Sequence, residues 1–261
     1  MSTQTLGLSR EQRQRFDERG LVHLEGLIPR PAVARMADRL WQTLEAKDGM
    51  RRRAPGGWKV ERPFHFKALQ ASGAFKGMAT PAVRAVLDDL MGPSGWSEPP
   101  SWGQPLVCFP TAKPWDVPFQ SWHTDGPTDP GAPLIGRVFA VLEPLRARGG
   151  TTLVALGSHR LARRLAVRAG GLLSSAEVRK ALKAAHPWFA DLMSPGSPGE
   201  DRVARFMDRE TVVDGVACQV EAMTGEPGDV LLMHPNVLHA GSSNALDSPR
   251  LVLSQFVTPR G

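Results

Sequence analysis

From about residue 100 onward the chain breaks into short apolar runs separated by glycine and proline, and this rhythm limits the fold more than any other feature of the sequence. "QPLVCF", "PFQSWHTD", "LIGRVFAVLE" and "TTLVAL" come first. "ETVVDGVACQVEA", "GDVLLMH", "NVLHAG" and "RLVLSQFVT" follow a helix-patterned stretch at roughly 158–193. Runs of this length, rich in Val, Leu, Phe and Thr and bounded by turn residues, read as strands. Many short strands, preceded by helices and interrupted once, predict a mainly β fold with flanking helices. The most economical closed form is a jelly roll, the double-stranded β-helix of cupin-like proteins.

The first hundred residues have a different pattern. Ser9 with Gln12 three positions later predicts a capped helix start, Gly20 its end, and Leu21 to Leu27 a short strand. In "PRPAVARMADRLWQTLEAK" the residues Val33, Met36, Leu40, Trp41 and Leu44 recur at helical spacing. "TPAVRAVLDDLMG" carries proline at the start of a helix and glycine just past its end. Residues 49–63 are rich in glycine, proline and arginine, and "RRRAPGGW" at 51–58 reads as a mobile lid. With no internal repeat and no low-complexity linker, the expected organisation is one domain over 1–261, a helical region of about 1–95 packed on a β core of about 100–258.

Composition excludes several function classes. Hydrophobic content of 41% and charged content of 22% are ordinary for a globular chain of 261 residues. No run of eighteen apolar residues is present, so no membrane span is expected. The start, "MSTQTLGLSREQRQRF", shows no apolar leader. Cys108 and Cys218 lie in strand-like stretches and read as free thiols of a cytoplasmic protein; two distant cysteines make no thiolate zinc site. The net charge of +6 is concentrated locally, in "RRR" at 51–53 and "HRLARRLAVR" at 159–168. The second stretch has helical spacing, with Leu161, Ala162 and Leu165 on one face. Its arginines form either a solvated face or a basic rim that attracts an anionic substrate.

Chemistry-bearing residues cluster in two places. "SWHTDGP" puts His123 and Asp125 at i and i+2, a spacing that aims both side chains to one side of a strand. That pair alone is a weak signal. A third metal ligand should come from a late strand, where "HPNVLHAGSSNALDSPRLVLSQF" offers His234 and His239, and Arg250 begins an apolar strand. Two histidines and one carboxylate on one face of a metal leave three positions open, the arrangement of non-haem Fe(II) oxygenases. A 2-oxo acid chelates at the open positions, and its far carboxylate then needs a cation such as Arg250. Either late histidine can serve as the ligand on spacing alone.

"LSREQRQRFDERGLVHLEGLIP", "WHTDGP", "GGTTLVALGSHR" and "HPNVLHAGSSN" with Arg250 together resemble the phytanoyl-CoA dioxygenase family of Fe(II)/2-oxoglutarate-dependent oxygenases, nearly end to end. The resemblance implies Fe(II) ligands at His123, Asp125 and His239. It implies that Arg250 holds the far carboxylate of 2-oxoglutarate, that Lys67 in "FHFKALQ" reaches the co-substrate, and that Phe139 lines its pocket. The family serine two after the distal histidine is Gly241 here, which leaves Thr152 or Ser242 as the hydroxyl partner of Arg250. His234 and His159 are then structural contacts beside the site. Trp122 and Gln104 are candidates to line the substrate chamber, Trp122 equally a core residue.

The expected activity is hydroxylation of an unactivated C–H bond of a small-molecule, anionic or neutral metabolite, with O2 as co-substrate and succinate and CO2 as co-products. Desaturation, ring closure or epimerisation would use the same iron. Substrate contacts are expected from 50–63, 110–120 and 170–200. One alternative is a redox-inactive jelly-roll metal-binding protein. Another is a nucleic-acid demethylase on the same fold; against it, no second arginine follows Arg250 closely and no basic stripe is interleaved with aromatics. A halogenase would need a small residue where Asp125 stands.

Overall fold

The computed structural model describes residues 7–260. The elements are α1 (Arg10–Arg19), β1 (Leu21–Leu24), α2 (Arg30–Asp48), α3 (Lys67–Ala71), α4 (Pro81–Met91), β2 (Gln104–Cys108), β3 (Gly136–Val141) and β4 (Thr152–Leu156). After them come α5 (Ser158–Arg168), α6 (Ser175–Ala185), α7 (Pro187–Leu192), α8 (Arg202–Phe206), β5 (Thr211–Val213), β6 (Val216–Ala222), β7 (Val230–Met233), β8 (Leu238–Gly241) and β9 (Arg250–Val257). The strands form two antiparallel sheets, ordered β1-β7-β3-β9-β2 and β5-β6-β4-β8. This is the double-stranded β-helix anticipated from the strand rhythm.

Side chains alternate across each strand, so each sheet has two faces to cover. Phe139, Val141, Leu231, Met233 and Val252 of the larger sheet meet Val154 and Leu156 of the smaller one and fill the space between them. On the outer face of the larger sheet, Val138, Ala140, Leu232 and Leu253 pack under Leu40 and Leu44 of α2 and Leu87 of α4. On the outer face of the smaller sheet, Leu153, Ala155, Cys218 and Val220 pack under Leu161 of α5, Leu182 of α6 and Phe189 of α7. Burial on both faces explains why β3 is apolar almost throughout rather than alternating.

Helix ends follow the sequence signals. The Ser9 hydroxyl accepts the Gln12 N–H and the Gln12 side chain accepts the Ser9 N–H, closing a capping box. Gly20 ends α1 with φ 77°, and a Cβ there would sit 2.7 Å from Nδ1 of His159, so glycine is required on two counts.

Four expectations need correction. "PFQSWHTD" is not a strand: Trp122 turns into the core beneath α5–α7, Ser121 takes a positive φ of 65°, and only His123 bridges β8. The strand from Leu21 stops at Leu24, where Gly26 donates instead to Asp229. The helical insert runs to Phe206. Residues 51–58 are anchored: Trp58 packs on Trp41 and Phe109 and donates to the Arg51 carbonyl, while Arg52 pairs with Asp38 and Glu143. Those contacts tie the stretch to α2, Phe109 and Glu143.

Candidate metal centre

Two backbone contacts bring the metal-ligating residues together. His123 and His239 exchange N–H···O=C hydrogen bonds of 2.9 Å in both directions, and the Asp125 N–H donates to the Pro235 carbonyl at 2.9 Å. One antiparallel bridge therefore sets His123 beside His239, with ring centroids 4.2 Å apart, and the next hydrogen bond turns Asp125 toward them. Ligand atoms of His123, Asp125 and His239 lie within 4.8 Å of one another.

The ring nitrogens are arranged for a metal. Nδ1 of His123 faces the Ser121 carbonyl at 2.8 Å, and Nδ1 of His239 faces the Val237 carbonyl at 3.0 Å. A nitrogen facing a carbonyl must carry the proton, which leaves both Nε2 lone pairs for the shared space. Burial, followed by the neighbouring His239, pushes the His123 pKa down and favours the neutral imidazole a metal needs. For Asp125, burial raises the pKa, but His239, Arg137 and His123 together outweigh it and hold the carboxyl below its usual range. Two imidazoles offering Nε2 and one ionised carboxylate suit Fe(II), with sides left open.

Arg137 is the participant that the sequence reading missed. Its Nε lies 2.8 Å from Oδ2 of Asp125, a close charge contact without hydrogen-bond alignment, and its Nη1 donates to the Ser254 hydroxyl at 2.7 Å. The guanidinium sits 3.7 Å from the Phe256 ring centroid and 4.8 Å from that of Phe139. The available signal was one charged residue on the inward parity of an apolar strand, two positions before Phe139.

Deeper in the barrel a narrow cavity is lined by Leu106, Phe139, Thr152, Leu231, Arg250 and Val252 among others. Arg250 keeps some exposure as a residue, yet its Nε is buried with no partner among the described residues. Burial is the main force pushing its pKa down, to about 10, so it stays charged at neutral pH. A buried guanidinium nitrogen without a partner on an apolar wall suits a carboxylate. The Ser242 hydroxyl donates to the Thr151 carbonyl at 2.8 Å, so Thr152, on the cavity wall, is the better-placed hydroxyl. Only about 10 Å³ is open to a water-sized sphere, so entry of a dicarboxylate must displace lining side chains; half-exposed Leu106 is the freest.

Other expected residues fall elsewhere. Lys67 begins α3, exposed, and does not line the cavity. Gln104 is exposed at the start of β2, opposite Ser254 in the register, and does not line the cavity either. Trp122 is buried in the core under the helical insert, its Nε1 donating to the Pro118 carbonyl. His234 is not grouped with the metal-ligating residues but stacks on His159 at 4.6 Å and on Phe16 at 5.8 Å.

The stacked pair has a pH consequence. Burial, as the main cause, pushes His159 down to about 4 and His234 down to about 3. In the unfolded chain both titrate near about 6.5, so the unfolded state takes up their protons first. Their contribution to stability is complete above about pH 6.5 and falls with pH toward the folded values, by up to about 1.4 kcal/mol per unit for each histidine. Urea midpoints measured from pH 7 to 4.5 should fall, and His159→Gln with His234→Gln should flatten the slope. An unchanged slope would assign the acid sensitivity to other groups.

A larger cleft of about 930 Å³ opens beside Asp125, between the segment 126–135, helix α5 and residues 234–236. Of the segments expected to contact substrate, 50–63, 110–120 and 170–200, only Leu172 lines this cleft; Phe119, Gln120, Arg179 and Lys180 line a second cavity beside Ser121 and Trp122.

Comparison with known proteins bears on the family and the fold. The profile of phytanoyl-CoA dioxygenase (PhyH) matches residues 16–252. No curated protein matches the chain. Among solved structures, EctD from S. alaskensis with bound Fe superimposes with a TM-score of 0.55 at 19% identity, over 99% of this chain and 79% of that one. The non-haem alpha-ketoglutarate-dependent epimerase SnoN of nogalamycin biosynthesis gives 0.54 at 16% identity, over 95% and 81%. HygX from Streptomyces hygroscopicus with nickel and 2-oxoglutarate bound gives 0.52 at 16%, over 97% and 88%. At these identities the likeness to the solved structures is one of fold.

Proposed function

Because the chain belongs to the phytanoyl-CoA dioxygenase family, a class of iron- and 2-oxoglutarate-dependent enzymes, we propose that it hydroxylates an unactivated C–H bond of a small-molecule metabolite. The observation that carries this reading is the pairing of the His123–Asp125–His239 cluster with an unpartnered buried guanidinium nitrogen at Arg250 in the same barrel interior. In the alternative of a redox-inactive metal-binding protein, that arginine has no role.

His123 and His239 would hold Fe(II) through Nε2, and Asp125 through its carboxylate. Bound there with 2-oxoglutarate and O2, the iron supplies the oxidising power for C–H cleavage. The chain's own contribution is orientation and exclusion of water. Arg250 takes the far carboxylate in a charge-assisted pair, with the Thr152 hydroxyl as second donor. Leu106, Phe139, Leu231 and Val252 keep that cavity apolar, which strengthens the pair. Arg137 and Ser254 brace Asp125 from the side away from the histidines.

The test is turnover of 2-oxoglutarate with Fe(II) and ascorbate against a metabolite library. Hydroxylation predicts succinate matched by a product gaining one oxygen atom. Succinate matched by a product without added oxygen would replace hydroxylation by desaturation, cyclisation or epimerisation. No succinate with any member of the library would count against the oxygenase reading.

A further inference from the structure

We infer that the substrate of this site is an amphipathic oxyanion, whose charged group binds Arg160 and Arg163 and whose apolar body lies along the cleft beside Asp125. The inference rests on the oxygenase reading for the chemistry but not for the binding. Helix α5 has two faces: Leu161, Ala162 and Ala166 are buried in the core under the insert, while Arg160, Arg163, Arg164 and Arg168 line the cleft. These four cations are not equivalent. Arg164 and Arg168 reach the Asp214 carboxylate at 3.7 and 3.8 Å. Arg163 has only the Pro130 carbonyl, at 3.4 Å, and no side-chain partner is found for Arg160 among the described residues. The two lie three residues apart, neighbours on a helix face, and so can grip one anionic group together.

Of the carboxylates in the cleft, Asp125 is paired with Arg137, while Asp129 and Asp17 keep their charge but form no ion pair with Arg160 or Arg163. The opposite character is apolar. Val167 is 60% exposed, Leu172 62% and Phe256 37%, and all three line this cleft, together with Leu134 and Ile135. Large exposed apolar side chains gathered in one concavity mark a binding surface. The Arg163–Pro130 contact spans to the segment that begins at Asp125, so the cations and the ligand carboxylate share one space. A ligand that satisfied only the charge would leave the apolar wall wet; one that satisfied only the wall would leave two guanidinium groups without a counter-ion.

The experiment titrates full-length protein, loaded with Fe(II) and 2-oxoglutarate without oxygen, with 1-naphthyl phosphate, 1-naphthyl acetate, 1-naphthol and inorganic phosphate. Binding is followed by calorimetry. The phosphate ester should bind about tenfold or more tighter than the two uncharged naphthyl compounds, and also tighter than inorganic phosphate. Arg160→Gln with Arg163→Gln should lose about that factor for the ester and leave 1-naphthol unchanged. Equal affinity for ester and naphthol, equal affinity for ester and inorganic phosphate, or an ester affinity untouched by the double variant would each overturn the inference. The visible absorption of the Fe(II)–2-oxoglutarate complex in the same samples reports separately on the oxygenase reading, and the double variant should retain it.

Discussion

Asp125→Gly is expected to yield a protein with no retained iron, no 2-oxoglutarate turnover and a stability lower by about 3–5 kcal/mol. Loss of metal follows from removing the only carboxylate of the cluster. Loss of stability follows from Arg137, whose side chain is as buried as that of Asp125, each 9% exposed, and would be left as a buried charge without its counter-ion. The two effects separate in a double variant. Asp125→Gly with Arg137→Met should recover most of the stability and none of the iron. Asp125→Glu should retain more metal than the glycine variant and still lose most turnover, because one methylene displaces the ligand oxygen further than a catalytic arrangement tolerates. Iron content and urea midpoints decide the matter. Wild-type iron in Asp125→Gly would remove the residue from the metal site; a destabilisation that persists in the double variant would remove Arg137 from the argument.

Arg250→Ala should weaken 2-oxoglutarate by about ten- to hundredfold, from the loss of a charge-assisted pair worth about 1.5–3 kcal/mol, and leave iron content unchanged. The free protein already tolerates an unpartnered Nε there, so folding should not suffer. A 2-oxo acid with a single carboxylate has no far group to lose and should be affected far less. Calorimetric titration of both acids into wild type and variant makes the comparison, and equal losses for the two would assign Arg250 another role.

The sequence made the barrel legible because the strand runs are bounded by glycine and proline and carry the β-branched and aromatic residues that a covered sheet requires. His123, Asp125 and His239 were legible through their order and through Arg250. What was not legible depended on non-local geometry. The segment around His123 reads as a strand, yet only one residue of it bridges β8, since Ser121 kinks the chain and Trp122 is drawn into the core. Arg137 is hidden because a single arginine in "GRVFAV" has no sequence neighbour to pair with; its partner lies twelve residues away on another segment. The lid reading of 51–58 failed for a similar reason, since flexibility was inferred from glycine and proline while Trp58 anchors the stretch to Trp41 and Phe109. The two readings of the 159–168 arginines could not be weighed from the sequence, because only the fold places α5 along the cleft beside Asp125.

Whether His123, Asp125, His239 and Arg250 form one site for Fe(II) and 2-oxoglutarate is decided by adding 2-oxoglutarate to the Fe(II)-loaded protein without oxygen and recording visible absorption and binding heat. A weak charge-transfer band is expected that saturates at one equivalent of iron, is absent in Asp125→Gly, and requires a higher 2-oxoglutarate concentration in Arg250→Ala. A protein that binds neither iron nor 2-oxoglutarate under these conditions, or a band equally strong in Asp125→Gly, would contradict the shared site.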